Sequence, residues 1–475
     1  MAYRDLHGFL EQLDILGELR RVRVAVDPAQ EIAEITDRVS KRLDGGPALL
    51  FEAVKGSEFP VATNLFGSFR RICAALEIAG LDELAGRMEG LLRKVRDVPP
   101  AARMASLMAL PELTRHGPVT VAEAACREVV DHSPDLGRFP ILRNWSGDGR
   151  PGHDGRFITL PLVITADPET GKANCGMYRV EPFTGDTAGI HWRETSGGAG
   201  HYRKYQERGE RMPVAIAVGG DPAITFAATL PLPVELDEMY LAGFLRSEPV
   251  RLIPCLTSGL MVPAGAELVL EGYLGPDESR LGGAFGNHTG FYAAPRDVPV
   301  MHVTCVTRRR EMIYPATVVG RPPMEDCYMA KAAERLLLPL LQLELPEIAD
   351  INLPLEGIFH GCAIVAIHKR HEGHPGEVAE ALWAGGWLAD SRLLVMVDAD
   401  TDVADLSLVA WRVLNVTDWR RDLMFGEETR ESAPLGRLAL DATRKTVPGG
   451  ETRIEVARDR RVTELVDERW REYGI

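Results

Sequence analysis

The sequence lacks the short motifs that announce the commonest chemistries. It contains no G-x-x-x-x-G-K-[ST], no H-E-x-x-H and no G-x-S-x-G, which withdraws the usual support for nucleotide hydrolysis, zincin and serine-hydrolase chemistry. Cysteine is sparse: Cys73, Cys126, Cys175, Cys255, Cys305, Cys327 and Cys362 are odd in number, scattered and free of C-x-x-C spacing. Neither a disulfide framework nor a zinc ribbon is indicated, and a reducing cytoplasm fits best. Long apolar runs are missing too, because the most apolar stretch, Leu336 to Leu343, is interrupted by Pro339 and Gln342 and is far shorter than a bilayer span. No basic segment followed by an apolar run opens the chain, so no secretory signal is expected. Positive charge is in deficit, with 54 Lys and Arg against 69 Asp and Glu and a net charge of -15. That balance excludes a general nucleic-acid binder, and any anionic ligand must meet local cations.

What is present is a globular composition. The 475 residues are 45% hydrophobic and 26% charged, enough for two or three domains. Leu6, Phe9, Leu10, Leu13 and Leu16 recur at helical spacing, with Asp5 as N-cap and Gly17 as stop. A second helix is expected over Gln30 to Leu43 and a third over Arg70 to Val95, giving a mixed α/β unit that ends near residue 118. From about Val119 to Val319 short β-rich runs take over: Phe157 to Ala166, Asn174 to Val180, Val214 to Val218, Glu267 to Leu274 and Val300 to Thr307. A β-barrel or sandwich is the expected core. Beyond Gly320, strand-like Ala363 to Ile367 and Leu393 to Val397 alternate with helix-like Ala330 to Leu343, Gly376 to Trp387 and Leu406 to Leu414, the pattern of an α/β layer. The fold class is therefore multidomain α+β, with divisions at 1–118, 119–319 and 320–475.

Two tempting motifs carry little weight. Gly147-Asp-Gly149-Arg-Pro-Gly152 matches G-x-G-x-x-G, yet it opens into a strand and holds Pro151, so it reads as a surface loop. His368, His371 and His374 follow a strand and precede Pro375 without a helical frame, so they read as a solvated loop. A subtler set remains: Asn174 and Arg179 on one predicted strand, then His191, then Glu238 after the turn Leu230-Pro-Leu-Pro233. An amide oxygen, an imidazole and a carboxylate suit a divalent ion such as Mn²⁺ or Mg²⁺. Ordinary surface residues would give the same composition.

The stretches Asn174-Cys-Gly-Met-Tyr-Arg179, Gly189-Ile-His191-Trp192, Glu238-Met-Tyr-Leu-Ala-Gly-Phe-Leu245, His288-Thr-Gly-Phe-Tyr292 and Gly320-Arg-Pro-Pro-Met-Glu-Asp326 occur together and in this order. In that combination the chain resembles the UbiD family of decarboxylases, from its first helix to its last residues. The resemblance implies an N-terminal α/β domain, a central split β-barrel that binds prenylated flavin mononucleotide (prenylated FMN), and a C-terminal α/β domain used in oligomerisation. It also implies that Asn174, His191 and Glu238 hold Mn²⁺ against the cofactor phosphate, with K⁺ as a further ion. Arg179 would lie over the flavin near the substrate carboxylate, and Met177 and Tyr178 beside the cofactor. Thr229 and Arg392 would face the phosphate, Arg392 standing where relatives often carry lysine.

The implied reaction is reversible decarboxylation of an aromatic acid, with the cofactor as electron sink. Hydroxynaphthoate, hydroxybenzoate, polyprenyl-hydroxybenzoate and heteroaromatic acids are the substrate classes, and quinone biosynthesis is one setting. Expected partners are the acid and CO₂, a UbiX-type flavin prenyltransferase supplying the cofactor, and further copies of the chain as a dimer or hexamer. Membrane contact is expected only for a prenylated substrate. At one stretch the chain departs from the family, whose E-G-P-F-G-D/E ends on the proton-donating acid: here it reads Gly282-Gly-Ala-Phe-Gly-Asn287. His288 is the leading replacement donor, followed by Lys369, His360 or a water. The alternative is a non-catalytic, partner-dependent subunit of a larger aromatic carboxylase.

Overall fold

The computed structural model describes residues 3–233, 236–358, 361–428, 435–445, 456 and 458–474. They form two compact units, one of residues 1–346 and 352–362, the other of 347–351 and 363–475.

The first unit opens on the expected helix, Leu6–Ile15. The Asp5 carboxylate accepts the Gly8 N–H at 3.0 Å, and Leu6, Phe9, Leu10 and Leu13 are buried. The second helix is Glu31–Ser40. The third is two helices, Phe69–Leu76 and Leu81–Leu92, because Glu77 takes a left-handed φ of 52° and stops the first. A four-stranded sheet runs in the order Leu19–Val22, Ala48–Phe51, Val61–Thr63, Tyr314–Pro315, so a strand from beyond residue 300 completes a sheet begun before residue 70. The helix Glu325–Glu344 joins the same unit: its Met329, Ala332 and Leu336 share one core cluster with Leu84 and Met88 of Leu81–Leu92. The expected helix over Ala330 to Leu343 thus groups with the N-terminal elements rather than with the C-terminal layer.

Between these parts lies a half-barrel of eight antiparallel strands. Its order is Ala173–Gly176, Pro161–Ala166, Met212–Val218, Leu268–Gly282, Arg296–Arg308, Thr187–Ile190, Val180–Pro182, with Val129–Asp131 also pairing Arg296–Arg308. Met212–Val218 shows why the sequence makes this sheet: Val214, Ile216 and Val218 enter one core cluster while Ala215 and Ala217 enter another. Side chains alternate across a strand, so a strand buried on both faces must be apolar throughout. The strand expected over Asn174 to Val180 is broken into two, Ala173–Gly176 and Val180–Pro182. Tyr178 folds back between them, its hydroxyl accepting from Asn174 Nδ2 at 3.3 Å.

The second unit has a five-stranded sheet, ordered Ile348–Asn352, Cys362–Ile367, Leu393–Asp398, Arg437–Asp441, Leu423–Gly426. Leu393–Asp398 pairs parallel with Arg437–Asp441, and Leu423–Gly426 antiparallel with it. The helices His374–Ala384 and Leu406–Val416 accompany the sheet. Among the described residues no helix is long and apolar enough to cross a membrane.

Candidate active site

The site grows from one hairpin. Val180–Pro182 pairs antiparallel with Thr187–Ile190, Glu181 facing Gly189, and the His191 N–H donates to the Arg179 carbonyl at 3.0 Å. The register therefore sets Arg179 opposite His191, and the two-residue period puts Glu181 on the same face as both. His191 Nε2 and Glu181 Oε2 lie 3.0 Å apart, and the same carboxylate oxygen accepts the Gly283 N–H at 2.7 Å. Both side chains are buried. Burial lowers the His191 pKa, and the hydrogen bond to Glu181 works against it.

Gly282, where the resemblance implies a glutamate, sits directly against this pair. A Cβ there would fall 2.6 Å from His191 Cε1 and 2.9 Å from Nε2, too close for any side chain. Phe285, from the Gly282 to Asn287 stretch, joins Phe157 and His191 in an aromatic wall. The Arg179 guanidinium lies over the Phe285 ring at 4.9 Å, Phe285 packs edge-on against Phe157 at 4.8 Å, and Phe157 against His191 at 5.6 Å. Burial, then the charge of Arg296, lowers Arg179 to about 10, while Glu181 and Asp148 pull it back. It remains a cation at neutral pH.

Asp148 corrects the surface-loop reading of Gly147 to Gly152. It is buried, accepting from Asn144 N–H and Trp145 N–H with one oxygen and from Gly286 N–H at 2.7 Å with the other. Gly149 and Ala284 exchange two backbone hydrogen bonds. Half of that loop is thus the floor under Gly282 to Asn287.

Asn174 and Glu238 are joined through a neighbour, since the Glu238 carboxylate accepts the Cys175 N–H at 3.2 Å. Glu238 begins the helix Glu238–Arg246, and burial raises it to about 7. Asn174 Oδ1 abuts Gly197 at the start of the helix Gly197–Arg208: a Cβ on Gly197 would lie 2.1 Å from it. Tyr178, bonded to Asn174, packs edge-on against Trp192, which follows His191. Contacts therefore run from Glu238 past Asn174 and Tyr178 to Trp192, while the His191 ring packs with Glu181 and Phe157 instead. Met177 is tied to Ala228 by its N–H, and Thr229 donates its hydroxyl to the Phe226 carbonyl at 2.6 Å.

Other expected residues stand apart from these contacts. Asn287 spends its side-chain oxygen on Thr289, accepting from its N–H at 2.9 Å and its hydroxyl at 2.6 Å. His288 is half-buried on the turn that Asn287 closes. Lys369 and Arg392 belong to the C-terminal unit, where Lys369 pairs with Glu372 at 2.8 Å and donates to the Arg444 carbonyl at 2.9 Å. His360 lies outside the described residues. The loop reading of His368, His371 and His374 needs correction at its end: His374 is buried, starts a helix and accepts the Arg370 N–H. Among the described residues no three or more His, Cys, Asp or Glu are grouped so that they could hold a metal ion. Glu181 and Asp148 were not singled out from sequence. For Glu181 a signal existed, its position two residues beyond Arg179 on an alternating strand.

Comparison with known proteins resolves the ancestry. Three family models match in succession: the 3-octaprenyl-4-hydroxybenzoate carboxy-lyase N-terminal domain over residues 10–88, the Rift-related domain over 118–322 and the C-terminal domain over 327–436. The chain belongs to the UbiD family of carboxy-lyases. Among UbiD relatives, an uncharacterized protein of Archaeoglobus fulgidus is 44% identical over 94% of this chain and 92% of its own length. One of Aquifex aeolicus is 38% identical over 100% and 99%. Of solved structures, the vanillic acid decarboxylase of Sedimentibacter hydroxybenzoicus in closed form superposes with a TM-score of 0.86 at 25% identity, covering 100% of this chain and 99% of that one. The UbiD-class enzyme HmfF of Pelotomaculum thermopropionicum, in an evolved dimeric form complexed with prFMN, gives 0.79 at 26% over 95% and 97%. A second HmfF structure holds FMN.

Proposed function

We propose that this UbiD-family chain decarboxylates an aromatic acid reversibly, using prenylated FMN with Mn²⁺. The observation that carries the proposal is the single face on which Arg179, His191 and Glu181 meet the Phe285 wall, in a fold shared with a prFMN-bound relative.

Donor atoms of suitable type are present for the absent groups. His191 Nδ1 is buried without a hydrogen-bond partner among the described residues, a lone-pair nitrogen suited to a cation. Asn174, His191 and the half-buried Glu238 are the residues that would hold Mn²⁺, with K⁺ as a further ion; Asn174 and Glu238 meet at Cys175, while His191 lies with Glu181 and Arg179. Met177, Tyr178, Thr229 and Arg392 would complete the cofactor contacts. Prenylated FMN, when bound, supplies the electron sink that no side chain offers. Arg179 binds and orients the substrate carboxylate, its plane fixed by stacking on Phe285. Phe285 and Phe157 exclude water from that charge pair, which strengthens it. Because Asn287 carries no acidic proton and is held by Thr289, His288 is the group proposed to hold the proton for the ring carbon; Lys369 and His360 are the reserves.

The three-domain division at 118 and 319, the split-barrel cofactor site, a cytoplasmic setting, a UbiX-type supplier, a homodimer or hexamer and a role in quinone biosynthesis belong to the same proposal. Reconstitution with prenylated FMN and Mn²⁺, followed by CO₂ release or isotope exchange from hydroxynaphthoic, hydroxybenzoic and heteroaromatic acids, tests it. Turnover of one class supports it; none, with cofactor bound, refutes it. The missing acids at Gly282 and Asn287 favour a second reading, a partner-dependent subunit of an aromatic carboxylase. Activity of the purified homo-oligomer would exclude that reading.

A further inference from the structure

Directly paired residues of neighbouring strands share a face of the sheet, and so do alternate residues along one strand. The pairs Gly282 with Arg296, Val300 with Gly189 and Gly189 with Glu181 therefore set Arg296, Val298, His191, Glu181 and Arg179 on one surface of the half-barrel. The contacts agree, since a Cβ at Gly282 would meet His191 Cε1 at 2.6 Å and Val298 Cγ2 at 3.2 Å. Arg280, on the same surface, pairs with Glu278 at 3.3 Å. Arg179 and Arg296 have no such partner among the described residues. Half-buried Arg179 rests on the Phe285 ring with its Nε unbonded, and exposed Arg296 donates to the Trp192 carbonyl at 2.7 Å. Glu181 is committed to the Gly283 N–H and to His191, and opposite Arg296 stands Gly282, which offers no counter-charge. A guanidinium only donates hydrogen bonds, and two that face one site repel each other. Behind the larger effect of burial, the Arg296 charge indeed lowers the Arg179 pKa. An oxyanion on each guanidinium removes that repulsion, and the rings of Phe285, Phe157 and His191 alongside suit a flat aromatic ring between them.

We propose that Arg296 is a specificity-determining residue that, with Arg179, makes the site prefer an aromatic acid carrying a second carboxylate over a monoacid. Arg179 takes the carboxylate that reacts and Arg296 the one that stays. The reaction rests on the function proposed above; the recognition rests on the charges and register of this surface. A hydrogen bond between charged groups corresponds to roughly 10-fold or more in affinity. Because Arg296 is exposed, salt screens its share.

The test titrates benzoate, isophthalate and terephthalate calorimetrically into the full-length chain with FMN bound. Wild type is expected to bind at least one diacid roughly 10-fold or more tighter than benzoate. Arg296→Gln should bring that ratio close to one, and Arg296→Lys should keep part of it, the charge remaining without the fork. Equal affinity of wild type for all three acids, or binding of none, overturns the inference. So does an Arg296→Gln chain that keeps the wild-type ratio, or one that loses all three acids equally, which would leave Arg296 only the Trp192 carbonyl to hold. A fall in FMN affinity with the ratio intact would give Arg296 to the cofactor phosphate and overturn it as well. A salt series on wild type needs no variant to fold: the diacid preference must shrink as ionic strength rises, and a constant preference counts against Arg296. If the preference is present but none of the acids turns over, the reaction proposed above fails while the recognition stands.

Discussion

Gly282 and His191 compete for one volume: a Cβ on the glycine would lie 2.6 Å from Cε1 of the imidazole. The ring cannot retreat without breaking its contact to Glu181 or its edge-on packing on Phe157. Gly282→Ala is therefore expected to destabilise the fold by about 1–3 kcal/mol, the usual cost of overpacking a core. Urea unfolding with an unchanged m-value measures it; a variant as stable as wild type would show that the ring has room.

Arg179→Lys keeps the charge but loses the planar fork stacked on Phe285. In the reconstituted enzyme, turnover is expected to fall roughly 10²-fold or more while FMN binding stays intact. Loss of FMN binding with normal turnover per bound cofactor would move Arg179 from substrate to cofactor.

His288→Gln separates the two roles open to that turn. If His288 delivers the proton, substrate-proton exchange drops by roughly 10². Equal rates in the two proteins remove it from the reaction. Asn287→Asp is the companion change: the shorter acid retains both acceptor positions toward Thr289 and should leave the melting temperature nearly unchanged. Asn287→Glu, one methylene longer, should lose that turn and about 1 kcal/mol.

Stability should fall as pH rises from about 4 to about 7 because of Asp326. Burial raises its carboxyl to about 7, and the neighbouring Glu325 adds to the rise against a hydrogen bond with Cys327. The folded state thus holds this proton more tightly than the unfolded chain, whose aspartate titrates near 4, so the contribution is complete below about pH 4 and is lost as pH rises through about 7. Asp326→Asn cannot ionise. Its urea midpoint should decline less between about pH 5 and pH 8 than that of wild type, and parallel declines would contradict the assignment.

Periodicity made much of the fold legible. Leu6 to Leu13 announced a helix at 3.6-residue spacing, and Val214 to Val218 a strand, which the structure buries on both faces. Asn174 to Val180 looked like one strand because nothing local marks that Tyr178 turns back to bond Asn174. At the candidate site family likeness pointed to Arg179, His191 and Glu238, of which the structure sets Arg179 and His191 on one face and Glu238 against the Cys175 N–H. Asp148 was hidden in a glycine-rich loop, since loop composition does not reveal which carboxylate will meet the Gly286 N–H. His374 looked solvated for the reverse reason, its burial being decided by the helix it starts.

The pairing of Tyr314–Pro315 alongside Val61–Thr63 has a bearing on synthesis. While the chain emerges from the ribosome, the edge of Val61–Thr63 stays bare until some 250 further residues have followed, and Leu81–Leu92 likewise waits for Glu325–Glu344. An uncovered strand edge is a template for wrong partners. The nascent N-terminal third is thus the stretch for which chaperone occupancy matters most, and a fragment cut after residue 118 is expected to aggregate rather than fold.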